Sequence, residues 1–178
     1  DGRVLGTYHK THPIQFFSDG VPGRTYPTFR TAVGRIGIAI CYDFDFAACP
    51  LRLVQNGAEL LVAPTFDSGE WTDVQHTQHA RMAQARAAET GRWVIRATTS
   101  GVSQVINPSG FVTAVIWSGE PDTTMGLAVP QRTQTLYMRV LHLLPMVCLV
   151  ISTVWLIMLA TVTLTKRRGD ANDTTSSL

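Results

Sequence analysis

Clustered charge is what this chain most lacks. Fifteen lysines and arginines against 13 acidic residues leave a formal net charge of +2 over 178 residues. The basic residues are scattered rather than gathered into a stripe, so there is no electrostatic footprint for nucleic acid and no such partner is expected. Cysteine is scarce as well. Cys41, Cys49 and Cys148 are the whole set, and with Cys148 inside an apolar run they make no disulfide framework and leave the compartment open. Internal repeats and low-complexity segments are absent, which excludes a solenoid. The sequence begins at Asp1 with neither an initiator methionine nor a signal peptide, and strand-like residues start at once at Val4-Leu5-Gly6-Thr7-Tyr8. The expectation is the carboxyl-terminal part of a longer protein, with no indication of oligomeric state.

Charge disappears altogether between Leu143 and Thr165. As a helix that run spans roughly 33 Å, enough for a bilayer core. Pro145 falls in its first turn, where proline is tolerated. Lys166-Arg167-Arg168 follow directly and mark the cytoplasmic side, although Arg132 and Arg139 reduce the asymmetry. The expected organisation is a globular domain over 1–140, a transmembrane helix over 141–165 and a disordered cytoplasmic tail over 166–178.

Within the globular part, residues 1–10 read as a strand and 11–30 as a long ordered loop rich in proline, glycine and aromatics, of the kind that carries function. A core strand leads to Cys41. A short helix is expected over 45–56, a second strand over 58–64, and a long small-residue-rich helix from Thr72 or Asp73 to about Gly91. A third strand over 92–98 and a hairpin turning at Asn107-Pro108-Ser109-Gly110 follow. Met125 to Val129 and Thr135 to Val140 are weaker strand candidates. Ending near Val140, the last of these would leave a short tether to the membrane. Strand, helix, strand, helix, strand and hairpin make an α/β fold with a mixed sheet.

The stretch Gly34-Arg35-Ile36-Gly37-Ile38-Ala39-Ile40-Cys41-Tyr42-Asp43 organises the rest. Its β-branched and small residues suit a strand covered on both faces. It stops at a thiol on the carboxyl edge of the sheet, where α/β proteins place reactive groups. A neighbouring ammonium favours the thiolate and a carboxylate can take its proton. Attack on an acyl carbonyl then builds negative charge on oxygen, which a nearby ammonium and the backbone N–H of Tyr42 would stabilise. His76 and His79, three apart on a helix, have no obvious cysteine or carboxylate to complete a metal site, so neither a metal nor another cofactor is expected.

Six motifs occur in order: Tyr8-x-Lys10-x-His12-Pro13, Gly37 to Asp43, Gln78-His79 with Met82-Ala83, Arg86-Ala87-Ala88-Glu89-Thr90-Gly91-Arg92, Arg96 to Ser103, and Asn107 to Gly110. Over residues 4–130 this set resembles the nitrilase, or carbon–nitrogen hydrolase, superfamily. With an apolar run directly behind it, the chain is most similar to the apolipoprotein N-acyltransferase branch. The resemblance implies an α-β-β-α sandwich and a Glu–Lys–Cys triad, with Cys41 as nucleophile, Lys10 as the lysine and the general-base glutamate upstream of Asp1. It also implies a phospholipid acyl donor, a lipoprotein amino terminus as acceptor, and a bacterial inner membrane location with the catalytic domain outside the cytoplasm. Three departures fall around the expected pocket. Asp43 stands where those acyltransferases carry glutamate. Gln15-Phe16-Phe17-Ser18-Asp19 matches their Pro-Phe-Gly-Glu, so that the glutamate position falls at Ser18, with Asp19 beside it. Pro64 to Trp71 replaces their Ser-Asn-Asp-Ala-Trp. A membrane-anchored amidase or nitrilase therefore stands as the alternative, and a non-catalytic binding domain as a third.

Overall fold

A computed structural model describes residues 2–14, 20–117, 119, 122–140 and 143–175. It divides into two compact units, Asp1–Met138 and Arg139–Leu178. The first is built on one six-stranded sheet in the order β1 (Thr28–Thr31), β2 (Gly34–Ile38), β3 (Leu60–Thr65), β4 (Trp93–Thr98), β5 (Ser103–Ile106) and β6 (Val112–Ile116). The three central strands are parallel and the outer pairs antiparallel. This is the mixed α/β arrangement that the sequence predicts.

Helix α1 (Ala48–Gln55) connects β2 to β3, and α2 (Asp73–Thr90) connects β3 to β4. Both crossovers advance the same way across the sheet, and crossovers of one hand put both helices on one face. A single core follows. Leu53 from α1 and Ala83 and Ala87 from α2 pack with Leu61, Ala63, Val94 and Ile106 from the strands. Leu61, Val94 and Ile106 are completely buried, worth about 1.5–3 kcal/mol each. Close approach depends on small residues. A Cβ on Gly37 would lie 2.9 Å from that of Ala58 and 3.1 Å from that of Leu53. The ends of α2 fall where the sequence places them. The Thr72 hydroxyl accepts from the Gln75 N–H, the Gln75 side chain accepts from the Thr72 N–H at 2.9 Å, and Gly91 closes the helix in the left-handed region.

Several expectations are corrected. Residues 2–10 form no strand, and Tyr8 is held through its hydroxyl to Asp43 rather than by a ladder. Part of the expected loop is instead β1, which pairs with β2 across a two-residue turn at Ala32-Val33. On the sheet face away from the helices, Ile36, Ile38, Val62, Trp93 and Ile95 are half-exposed rather than covered. Met125 to Val129 is irregular, and the other weak candidate contains a short helix, α3 (Leu136–Arg139). The approach to α3 is tied to the amino-terminal ends of β3 and β4. The Gln131 N–H donates to the Glu59 carbonyl at 2.8 Å, and buried Arg92 donates to the Thr133 carbonyl at 2.6 Å. The chain therefore leaves this unit from the end of the sheet opposite Cys41.

In the second unit, α4 runs Leu144–Thr175, so most of the expected disordered tail is helical. Its segment Leu144–Thr163 is long and apolar enough to cross a membrane.

Candidate active site

Strand β2 ends at Ile38, and the chain turns sharply into a 3₁₀ segment, Cys41–Asp45. Cys41 starts it with φ 51°, the one non-glycine in the left-handed region among the described residues. That backbone costs a cysteine about 1–2 kcal/mol, and strain of this kind concentrates at functional sites. The turn aims the side chain at a cavity of about 400 Å³. Ile14, Trp71 and Met82 form the apolar part of its wall, and Cys41, Asp45 and His79 its polar end. No glutamate lines it among the described residues.

The Cys41 thiol is nearly inaccessible and donates to the Phe66 carbonyl at 3.4 Å. Burial pushes its pKa up, while the Lys10 charge and the Tyr42 amide pull it back toward the thiolate. Lys10 itself is half-buried. Lys10 is thus near enough for its charge to act on Cys41, and Tyr42 lines the cavity beside it. Asp19 lies outside the described residues.

Asp43 takes a different place from the one expected. It is fully buried, does not line the cavity, and spends both oxygens on the segment that carries Lys10. The Tyr8 hydroxyl donates to it at 2.8 Å, the Thr11 N–H at 3.1 Å, the Thr11 hydroxyl at 2.8 Å and the His12 N–H at 2.8 Å. The Ile40 N–H, just ahead of the nucleophile, donates at 3.0 Å. Burial alone would raise the Asp43 pKa, but these donors outweigh it and hold the carboxyl below its ordinary range. Asp43 therefore fastens the Lys10 segment to the Cys41 turn. Cys49 sits beneath the same knot, 3.6 Å from the Tyr8 hydroxyl, and burial pushes its thiol up to about 11. It belongs to the core.

Sequence reasoning missed a second buried aspartate. Asp67, in the loop after β3, accepts from Arg96 at 2.8 Å and from His79 Nδ1 at 2.7 Å. A Cβ on Gly101 would collide with its carboxylate, so glycine is required there. Cys41, Asp67 and His79 offer ligand atoms within 4.8 Å of one another, a set of metal-binding type that the spacing of His76 and His79 does not reveal. The Asp67 oxygens, however, are already engaged by a guanidinium and an imidazole, and the Arg96 charge would oppose a cation there. The signal for Asp67 was its position after a core strand, a loop reached only once β3 and β4 pair.

Comparison with known proteins agrees with this geometry. Residues 1–136 match the carbon–nitrogen hydrolase family model. The deaminated glutathione amidase of Bos taurus is 34% identical over 132 residues, covering 64% of this chain and 40% of that protein. The apolipoprotein N-acyltransferase of Pseudomonas syringae is 36% identical over 99 residues, covering 56% of this chain and 19% of that protein. The chain therefore spans less than half the length of these relatives. Among solved structures, Nit3 of Saccharomyces cerevisiae, described as a member of branch 10 of the nitrilase superfamily, overlays with a TM-score of 0.59 at 24% identity, over 68% of this chain and 47% of that one. A carbon–nitrogen hydrolase from Helicobacter pylori overlays at 0.61 with 22% identity, over 68% and 51%. With an α/β nitrilase-like fold, a cysteine on a strained turn at the strand end and a family match over three quarters of its length, the chain belongs to the carbon–nitrogen hydrolase family.

Proposed function

We propose that this chain carries the nucleophile of a membrane-bound acyltransferase, in which Cys41 takes an acyl chain from a phospholipid as a thioester and passes it to the amino terminus of a lipoprotein. The observation that carries the reading is the combination of Cys41 on a cavity, within the influence of Lys10, with the apolar helix segment Leu144–Thr163 in the same chain. The acyltransferase relatives support it. In this reading Lys10 and the Tyr42 N–H hold the oxyanion, and the general-base carboxylate comes from outside residues 1–178. A second reading, hydrolysis of a small amide, is favoured by the similarity to the Bos taurus amidase. The test is to incubate the full protein in liposomes with radiolabelled phosphatidylethanolamine. A hydroxylamine-labile label on Cys41 that chases onto an amino-terminal peptide supports acyl transfer. Turnover of small amides without lipid labelling supports the second reading and defeats the first.

The role of Lys10 leads to a graded expectation. Lys10→Met should lose about 2.7–4 kcal/mol of transition-state stabilisation, the cost of removing an oxyanion donor, and Lys10→Arg should lose less because it keeps the charge. Steady-state kinetics of the two variants decide it, and equal small losses would return Lys10 to a surface role.

The expected orientation places Lys166-Arg167-Arg168 in the cytoplasm and the catalytic domain outside it. Ser103 is a poor reporter, since its hydroxyl is 3.0 Å from the Thr98 N–H and 3.1 Å from the Thr98 hydroxyl. Ser109, exposed in the hairpin turn, is better placed. In intact cells an impermeant maleimide should label a single cysteine at position 109 and leave one at 176 unmodified. The reverse pattern would put the domain in the cytoplasm.

A further inference from the structure

Three aspartates surround Cys41, and two are saturated. Asp43 accepts from Tyr8, Thr11, His12 and Ile40, and Asp67 accepts from Arg96 and His79. The third, Asp45, ends the 3₁₀ segment and shares the cavity wall with Cys41 and His79. Its side chain is 30% exposed, yet Oδ1 is shielded from solvent and accepts no hydrogen bond. The nearest cationic candidate is His79 Nε2 at 3.5 Å, on a ring whose Nδ1 is already held by Asp67.

A shielded carboxylate oxygen without a donor is unfavourable, because it has given up water and gained no hydrogen bond in return. The one ion-pair neighbour of Asp45 among the described residues, His79 on α2, does not reach hydrogen-bonding geometry with that oxygen. Asp45 lines the cavity beside Cys41, so a donor entering the cavity can reach it, and the best complement to a carboxylate is a cationic N–H. Resting on the thioester reading above, we propose that Asp45 is the subsite for the acceptor amine, binding it as an ammonium and taking its proton before it attacks the acyl-Cys41 thioester. His79, fixed by Asp67, positions Asp45.

The step balances. One ammonium proton passes to the Asp45 carboxylate and frees the nitrogen lone pair. That pair forms the C–N bond to the thioester carbonyl carbon. As the tetrahedral intermediate collapses, the C–S bond breaks with its electron pair on sulfur. The second proton lost from nitrogen goes to that sulfur, leaving an amide and the Cys41 thiol. Burial raises the Asp45 pKa, against the charges of His79, Arg96 and Arg86, which suits a group that must hold a proton. Asp67 faces it from the loop after β3 and adds to the rise.

The experiment uses the full protein, a p-nitrophenyl acyl ester as donor and a short peptide with a free α-amine as acceptor. The p-nitrophenol burst reports acylation of Cys41, and peptide acylation reports transfer. Asp45→Asn should acylate within about threefold of wild type, but transfer to the amine should fall about 100-fold or more, in the range of a lost general base. Its KM for the peptide should rise, while loss of the thioester to water persists. Asp45→Glu, which keeps the charge, should retain much of the transfer. Unchanged transfer by a normally acylated Asp45→Asn enzyme overturns this proposal alone. Loss of the burst in both Asp45 variants shows a structural role and also overturns it. Absence of a burst in the wild type defeats the thioester reading and this proposal with it.

Discussion

Cys41→Ala in the full protein is expected to abolish turnover while the domain stays folded. The thiol is the one cysteine lining the cavity among the described residues, and its neighbours Lys10 and Tyr42 act on its charge rather than replace it. Cys41→Ser should be almost as inactive, because a hydroxyl ionises far less readily than a thiol. The left-handed turn at Cys41 persists in both variants, so the backbone strain is not relieved and folding should be little changed. Cys49→Ala serves as the control. Its thiol is buried in the core with a pKa of about 11, so activity should remain and the loss should be confined to stability. Wild-type-like turnover by Cys41→Ala, with thermal unfolding confirming a native domain, would remove the thioester mechanism.

Asp43→Ala is expected to be the most destabilising single change near the site. It leaves the Tyr8 and Thr11 hydroxyls and the amides of Thr11, His12 and Ile40 without their common acceptor. Hydrogen bonds to a charged group are worth about 1.5–3 kcal/mol each, so a loss of roughly 3 kcal/mol or more follows even if water recovers some of them. Activity should fall as well, because the segment holding Lys10 is no longer fastened to the Cys41 turn. Asp43→Asn should recover only part of the stability, since an amide has one acceptor oxygen where the carboxylate uses two. The folded carboxyl is held below its unfolded value near 3.9. Its stabilisation is therefore complete above that value and is lost as pH falls through the lower, folded pKa. Urea titrations between about pH 3 and 7 should show wild-type stability falling at the acid end and a flatter profile for Asp43→Asn. Equal slopes would show that Asp43 carries no linked proton.

The order of the central elements was readable because it depends on local chemistry. Short apolar runs mark β3 and β4, and Thr72, Gln75 and Gly91 bracket α2 at the residues where the helix begins and ends. Leu144–Thr163 was readable for the same reason, since absence of charge over that length needs no partner to interpret. Residues 2–10 were misread as a strand because Val4, Leu5 and Tyr8 have strand propensity, and propensity cannot show that Tyr8 is wanted by an aspartate 35 positions away. The short helix Leu136–Arg139 was misread likewise, from a pattern too brief to separate the two periods.

At the site, the sequence by itself singled out Cys41 behind β2 and Lys10 in the irregular segment before it, because each lies in a short contiguous motif. Only the tertiary structure decided what the acids do. Asp43, Asp45 and Asp67 are equivalent as letters, and each is near Cys41 in the fold. Donors from residues 8–12 turn the first into a fastener, Arg96 and His79 engage both oxygens of the third, and the second lines the cavity with one oxygen that accepts no hydrogen bond. A carboxylate's role is set by which donors reach it, and those donors come from segments that meet only when β2, β3 and β4 lie side by side.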